Sequence, residues 1–340
     1  MIRTRGLTKD FVTGKNQAVH AVRGITLDVE PGELVAVLGP NGAGKTTTLR
    51  MLTTLIAPTS GTAEVAGYDV LASPAQVRHA IGYVGQGNAA GHVQRARDEV
   101  VTQGVVYGLD RQAARRRADE LLDALDLVEP AGRKVSDLSG GQRRRLDVAM
   151  GLVHAPALLF LDEPSTGLDP HNRANLWEHI LRMRADRAAS GAAPMTIVLT
   201  THYLDEADAM AERVVVVDHG EVIADDTAEN LKAGLAGDRV VARVAEPDVA
   251  RFAELATNSP GTRAVRVTGN VVDVRTTDGP AAVPGLLRAA EADGLSVATV
   301  AIHRPTLDDV FLALTGRSLR ENAIQTFPDG QTVSTGKAAA

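Results

Sequence analysis

The run Gly39-Pro40-Asn41-Gly42-Ala43-Gly44-Lys45-Thr46, followed by Thr47, has the spacing G-x-x-x-x-G-K-[ST] and directly follows the apolar stretch 34–38. Glycines at such a strand-to-helix turn let backbone N–H groups close around a polyphosphate with no Cβ in the way, and the following helix N-terminus adds positive potential. In that reading Lys45 reaches the β- and γ-phosphates and the Thr46 hydroxyl ligates Mg²⁺. A glycine-rich turn without a ligand is the alternative. Farther along, 158–161 runs into Asp162-Glu163-Pro164. Adjacent carboxylates at the end of a buried strand lie where open parallel sheets bind ligands. Asp162 would hold Mg²⁺ there, and Glu163 would orient or deprotonate the water that attacks the γ-phosphate. Asp-Glu-Pro also opens turns after strands, so this reading draws its strength from the Lys45 segment. The third segment is Leu138-Ser139-Gly140-Gly141-Gln142. Ser139 and Gln142 make a capping box for a helix over 143–153, which leaves the paired glycines unexplained. Each costs up to about 1 kcal/mol relative to Ala in a helix, and they make sense where a γ-phosphate approaches the backbone.

These segments require a scaffold that presents strand ends and helix starts together. Strand-length apolar runs recur at 34–38, 81–84, 158–161, 197–199 and 214–217, separated by longer helical patterns between residue 26 and about residue 225. Such alternation predicts the α/β class with a buried, largely parallel sheet. The amphipathic stretch 111–127 belongs to an inserted helical region. After Gly237 the pattern becomes strand 240–244, helix near 249–256, strands 265–267 and 271–274, helix near 283–292 and strand 297–302. That β-α-β-β-α-β order predicts a small α+β, ferredoxin-like domain. The expected division is therefore 1–235 for the nucleotide-binding domain and 236–316 for an accessory domain. Residues 317–340, rich in Thr, Gly, Ser and Ala, are expected to form a flexible tail.

A chain of 340 residues, 44% hydrophobic and 23% charged, is long enough for two domains with real cores, which excludes disorder throughout. Its net charge of -6 gives no general attraction to nucleic acid or anionic lipid, so no nucleic-acid partner is expected. The absence of Cys excludes disulfides, thiol nucleophiles and thiolate metal sites and suits a reducing compartment. No apolar stretch approaches the ~20 residues of a spanning helix, and the basic start Met1-Ile2-Arg3-Thr4-Arg5 has no apolar continuation of the kind a signal peptide needs. The triplets Arg115-Arg116-Arg117 and Arg143-Arg144-Arg145 are read as solvated helix faces, with a face toward phospholipid or a partner as the alternative.

In their order along the chain, the motifs resemble the nucleotide-binding subunit of an ABC transporter over residues 1–235. Gly39 to Thr46 matches the family's Walker A motif, 158–162 its Walker B motif with Glu163 as catalytic glutamate, and Leu138 to Gln142 its signature. The D-loop matches Ser165-Thr166-Gly167-Leu168-Asp169, and the switch histidine matches His202, which the resemblance makes a γ-phosphate sensor. Gln86 matches the Q-loop glutamine, a Mg²⁺ and water contact, and Phe11 occupies the place of the aromatic that stacks on adenine, with a packing Phe as the alternative. The resemblance implies ATP and Mg²⁺ as cofactors and hydrolysis of ATP. It also implies a head-to-tail homodimer, in which the signature of one subunit closes over ATP held by the other, and a separate transmembrane permease. Gly85 stands where the family more often has Pro, and residues 87–94 depart from the family pattern, which bears on the permease-docking surface around 87–97.

Three further segments, Arg143 to Ala149, Thr201 to Ala207 and His303 to Leu312, resemble the daunorubicin-resistance type of antibiotic exporter ATPases. That resemblance implies export of an antibiotic or other small hydrophobic compound, a peripheral place on the cytoplasmic face of the cell membrane, and a C-terminal domain that supports dimer and partner assembly, with a packing role as the alternative. A P-loop kinase or GTPase has no use for Leu138 to Gln142. A soluble ABC ATPase of DNA repair or translation, and an importer ATPase, stand as the alternatives. The former usually carry two cassettes, coiled-coil inserts or Cys zinc sites, none of which is legible in this chain.

Overall fold

A computed structural model describes residues 1–12, 18–87 and 89–316, in two units that meet between Leu231 and Lys232. The segment 317–340, expected to be a tail, lies outside the described residues. In chain order the first unit comprises β1 (Ile2–Val12), β2 (Ala18–Val29), β3 (Leu34–Leu38), α1 (Lys45–Leu52), β4 (Ser60–Val65), β5 (Tyr68–Asp69), α2 (Pro74–Ala80), β6 (Ile81–Val84), α3 (Ala96–Val106), α4 (Arg111–Ala124), α5 (Gly140–Leu152), β7 (Leu158–Asp162), α6 (Pro170–Ala189), β8 (Thr196–Thr201), α7 (Leu204–Met210), β9 (Arg213–Asp218), β10 (Glu221–Asp226) and α8 (Ala228–Leu231).

Its main sheet has the order β10-β9-β3-β8-β7-β6, parallel except for the antiparallel edge strand β10. Every residue of β3, β7 and β8 is buried. Their apolar stretches 34–38, 158–161 and 197–199 are therefore continuous rather than alternating, as expected of a sheet covered on both faces. A second, antiparallel sheet has the order β2-β1-β4-β5. One core joins the two sheets: Val35, Val37, Phe160 and Val198 from the parallel strands meet Ile2, Leu7 and Leu27 from the antiparallel ones and Leu49 and Met51 from α1. The parallel registers bring the strand ends level, pairing Leu38 with Thr201, Asp162 with Thr200, and Val84 with Leu161. The loops that leave β3, β6, β7 and β8 consequently emerge along one edge.

The inserted helical region is α3 to α5. The amphipathic stretch expected there is α4, started by Asp110, whose carboxylate accepts from the N–H groups of Gln112 and Ala113, and buried through Ala114, Ala118, Leu121 and Leu122.

The second unit contains β11 (Asp238–Val244), α9 (Val249–Thr257), β12 (Thr262–Thr268), β13 (Val271–Thr276), α10 (Gly279–Ala292), β14 (Val297–His303) and α11 (Leu307–Thr315). Its sheet order β12-β13-β11-β14 is antiparallel throughout, the split β-α-β arrangement that the sequence pattern predicts. Alternate residues of β11 and β13, Val240, Ala242, Val244, Val272 and Val274, pack with Phe252 and Ala256 of α9 and Leu286 and Ala290 of α10. No helix among the described residues is long and apolar enough to cross a membrane.

Phe160 is fully buried in β7, two residues before Asp162. Phe160→Ala is expected to destabilise the first unit by about 3–5 kcal/mol through lost burial and a residual cavity, measured as a lowered denaturant midpoint.

Candidate functional site

The loop after β3 needs glycine at two positions for different reasons. A Cβ at Gly39 would lie 2.2 Å from the Val217 carbonyl oxygen; Gly44 has φ +100° and a Cβ there would lie 2.5 Å from the Ala21 carbonyl oxygen. Between them Pro40 and Ala43 are buried while Asn41 and Gly42 are exposed. The loop feeds α1, whose first turn holds Lys45, Thr46 and Thr47. Lys45 is only 4% exposed. Its Nζ donates to the carbonyls of Gly39 (2.7 Å) and Pro40 (3.0 Å) and lies 3.8 Å from Oε1 of Glu163. Burial pushes the Lys45 ammonium below its ordinary pKa, while the charges of Glu163 and Asp162 oppose that shift.

Asp162, at the end of β7, is fully buried. Its Oδ1 accepts from the hydroxyls of Thr46 (2.9 Å) and Thr200 (2.7 Å), and its Oδ2 has no hydrogen-bond partner. Gln86, just past β6, donates from Nε2 to Oγ1 of Thr46 at 3.1 Å. Among the described residues nothing donates to that oxygen; a buried carboxylate oxygen calls for a partner, and an oxygen-binding cation beside Thr46 and Gln86 fits that need. No group of three or more His, Asp and Glu side chains able to hold a metal occurs among the described residues. Thr46, Gln86 and Oδ2 of Asp162 are the oxygen donors here that could hold such a cation. Gln86 presents its NH₂ to Thr46 here, so ligation by Gln86 requires the amide to turn.

Glu163 adopts φ +47°, a left-handed conformation that costs a non-glycine residue about 1–3 kcal/mol and persists where surrounding contacts dictate it. Its N–H donates to both the carbonyl (3.1 Å) and the hydroxyl (3.0 Å) of Thr200. The Thr166 hydroxyl donates to Oε2 at 3.1 Å. Nδ1 of His202 lies 3.3 Å from the same oxygen without the geometry of a hydrogen bond. The nearness of His202 is the main cause holding the Glu163 carboxyl below its ordinary value of 4.5, with Lys45 assisting and burial opposing. His202 leaves β8 beside Thr201, whose hydroxyl donates to the buried Glu206 at 2.9 Å. The hydrogen bonds and close ionic contacts thus bring Lys45, Thr46, Gln86, Asp162, Glu163 and His202 into one cluster.

The signature segment and Phe11 stand apart from that cluster: among the described residues, no hydrogen bond or ion pair joins Ser139, Gly140, Gly141, Gln142 or Phe11 to Lys45 or Thr46. Ser139 caps α5 and forms the expected capping box with Gln142. The two glycines differ. Nothing lies within 4 Å of a Cβ built at Gly140, whereas one at Gly141 would lie 2.3 Å from Oδ1 of Asn172. Packing inside the chain is thus a second reason for glycine at Gly141, beside the ligand approach expected of both residues. Asn172 in turn is held by Asp169, the N-cap of α6, which accepts from its backbone N–H (2.9 Å) and its side-chain amide (2.6 Å). Phe11 is 40% exposed, with the Lys9 ammonium 5.3 Å above its ring, so its ring is not consumed by core packing.

The solvated-face reading of Arg143-Arg144-Arg145 fails at Arg144, which is 8% exposed. Its guanidinium donates to the carbonyls of Pro164, Gly85, Asp162 and Glu163. Arg143 donates to the Leu138 carbonyl and Arg145 to Asn175. In the other triplet Arg115 and Arg116 are exposed as expected, whereas Arg117 also reaches the Leu152 carbonyl. Thr200 is the second residue that sequence reading missed, because the apolar run ends at Leu199 while β8 continues to Thr201.

Two outcomes follow from this geometry. Gly141→Ala should lower the melting temperature through its clash with Asn172, and adding Asn172→Gly should recover part of the loss; equal melting of the single and double variants would refute the clash. Glu163 has a folded pKa below its unfolded value, so its ionised form adds stability above about pH 4.5 that is lost as pH falls through the folded pKa. Glu163→Gln should flatten that acid limb in melting temperature measured against pH.

Comparisons with known proteins agree with the motif order. Residues 22–166 match the ABC transporter family model, and residues 227–315 match the C-terminal domain of ATP-binding proteins of the DrrA1-3 type. The daunorubicin resistance ATP-binding protein DrrA2 of Streptomyces coeruleorubidus is 42% identical over 299 residues, covering 87% of this chain and 91% of that protein. The doxorubicin resistance ATP-binding protein DrrA of Mycobacterium tuberculosis is 39% identical over 316 residues, 91% of this chain and 92% of that one. The linearmycin resistance ATP-binding protein LnrL of Bacillus subtilis is 33% identical over 304 residues, 88% and 95%. Among solved structures, a dimeric bacterial ABC transporter cassette superposes with a TM-score of 0.60 at 25% identity, covering 67% of this chain and 98% of the cassette. With this likeness running through both units, the chain belongs to the ATP-binding subunits of ABC transporters, in the daunorubicin-resistance group.

Proposed function

We propose that the chain is the ATP-hydrolysing subunit of an exporter that moves an antibiotic or similar small hydrophobic compound through a separate membrane permease. ATP hydrolysis comes with the family; the compound class rests on the drug-resistance names of relatives that align over nearly their whole length. The observation that carries the chemistry is the cluster of Lys45, Thr46, Gln86, Asp162, Glu163 and His202 at the strand ends.

In this reading the N–H groups of 41–46 close on the phosphates, and Lys45 exchanges the carbonyls of Gly39 and Pro40 for phosphate oxygens. Thr46, Asp162 and Gln86 would hold Mg²⁺, which would neutralise charge on the transferring phosphoryl group. Glu163, ionised at neutral pH, orients the attacking water and takes its proton. His202, 3.3 Å from that carboxylate, donates to the γ-phosphate. Phe11 supports the adenine ring from its exposed position. Ser139, Gly140, Gly141 and Gln142, which lie outside the cluster of their own chain, serve the ATP of a second copy, so that the active form is a head-to-tail homodimer with two composite sites; Asp169 supports that segment through Asn172. The permease docks around 87–97 and the helical region, which places the protein on the cytoplasmic face of the membrane, and the domain after residue 235 supports assembly.

Glu163→Gln is expected to keep ATP affinity, lose nearly all turnover and give a stable ATP-bound dimer in light scattering. Turnover equal to the wild type would remove Glu163 from the role of base. Daunorubicin accumulation by inverted vesicles carrying the chain and its permease should require ATP and should vanish with the same substitution.

A further inference from the structure

Arg144 is a buried arginine that bonds no side chain assigned to ATP, yet its guanidinium serves the backbone of Asp162 and Glu163 and of the segment before Gln86. Nε donates to the Pro164 carbonyl at 2.5 Å and Nη1 to the Gly85 carbonyl at 2.6 Å; Nη2 lies 3.3 Å from the Asp162 carbonyl and 3.4 Å from that of Glu163. Gly85 immediately precedes Gln86. One side chain on α5 therefore ties together the Q-loop, the end of β7 and the strained glutamate. The backbone of Glu163 is gripped from both sides: Thr200 holds its N–H and Arg144 its carbonyl.

Asp147, one turn farther along α5, completes the arrangement. Its Oδ1 accepts the Ala89 N–H at 3.0 Å and its Oδ2 lies 3.8 Å from Nη1 of Arg144. It is 2% exposed, and it supplies the counter-charge a buried guanidinium needs. The two side chains thus grip the chain on either side of Gln86, at Gly85 and Ala89, from the same helix that begins with Ser139 and Gly140. A guanidinium fork can serve several carbonyls in fixed directions, as an ammonium or an apolar side chain cannot.

We infer that Arg144, with Asp147 as its counter-ion, is a positioning residue for ATP hydrolysis: it keeps Gln86 and Glu163 in register with each other and with the signature helix, so that a displacement of α5 reaches both groups together. The inference rests on the proposed role of Glu163 as base. Misplacement of reacting groups by about 1 Å can cost on the order of 100-fold in rate, and loss of this grip should appear in turnover rather than in nucleotide affinity.

The test uses the full-length chain with Mg-ATP. Arg144→Lys keeps the charge and loses the fork, and Asp147→Asn keeps the acceptor for Ala89 and loses the counter-charge. For Arg144→Lys, kcat should fall about tenfold or more, with KM for ATP and the affinity for a fluorescent ATP analogue within about twofold of wild type. Asp147→Asn should produce the same split with a smaller loss of kcat. Arg144→Lys with unchanged kcat, or with activity reduced only in proportion to the folded fraction seen by circular dichroism, would overturn the inference. If Arg144→Lys does not fold, unchanged kcat in Asp147→Asn overturns it instead, and a selective fall in kcat supports it. Failure of the underlying reading is separately visible, as wild-type turnover in Glu163→Gln.

Discussion

The candidate site depends on one carboxylate that has no water to turn to. Asp162 is fully buried; one oxygen is saturated by Thr46 and Thr200, and the other is left without a donor. An isolated buried charge is expensive, so the arrangement makes physical sense when a cation completes it. The two hydroxyls that satisfy the first oxygen come from α1 and β8, and so fix how the phosphate-binding loop stands against the strand end. Lys45 is held over the same point by the carbonyls of its own loop, and its charge partly compensates those of Asp162 and Glu163. The parallel register supplies the rest, because it brings Leu38, Asp162 and Thr201 level.

Around this centre the strain at Glu163 acquires a purpose. A left-handed glutamate turns the chain sharply after β7, and that turn brings the carboxylate back toward Lys45 and His202. The contacts that sustain it come from both directions in the sequence, Thr200 from downstream and Arg144 from upstream. The candidate base is thus a product of three elements, and no one of them could place it alone.

What was legible in the sequence was whatever chemistry forces into a short stretch. The loop 39–46, the carboxylate pair 162–163 and the box 139–142 each work through consecutive backbone or nearby side-chain atoms, so type and spacing reveal them. The two βα architectures were legible for a similar reason, since buried parallel strands read as apolar runs and the half-covered β11 alternates. Arg144 was not legible, because its acceptors are carbonyl oxygens 18 to 59 residues away and a carbonyl leaves no mark on residue type. The packing demand at Gly141 was hidden for the same cause: Asn172 lies on another helix. A run of three arginines looks like a wet surface until helical periodicity is combined with knowledge of what lies opposite: the middle one is buried and its two neighbours are half-buried. Thr200 had a faint signal, a hydroxyl extending an apolar strand, which gains meaning only from its register with Asp162.

Everything in the proposed chemistry turns on the strand ends around Asp162 holding a divalent cation together with ATP phosphate oxygens. Electron spin echo spectroscopy of Mn²⁺ substituted for Mg²⁺ tests it directly, in the full-length protein with ATP. Mn²⁺ should be bound by the protein with phosphorus couplings from the nucleotide, and Asp162→Asn should lose most of that bound population. The same Mn²⁺ occupancy and couplings in wild type and Asp162→Asn would contradict it.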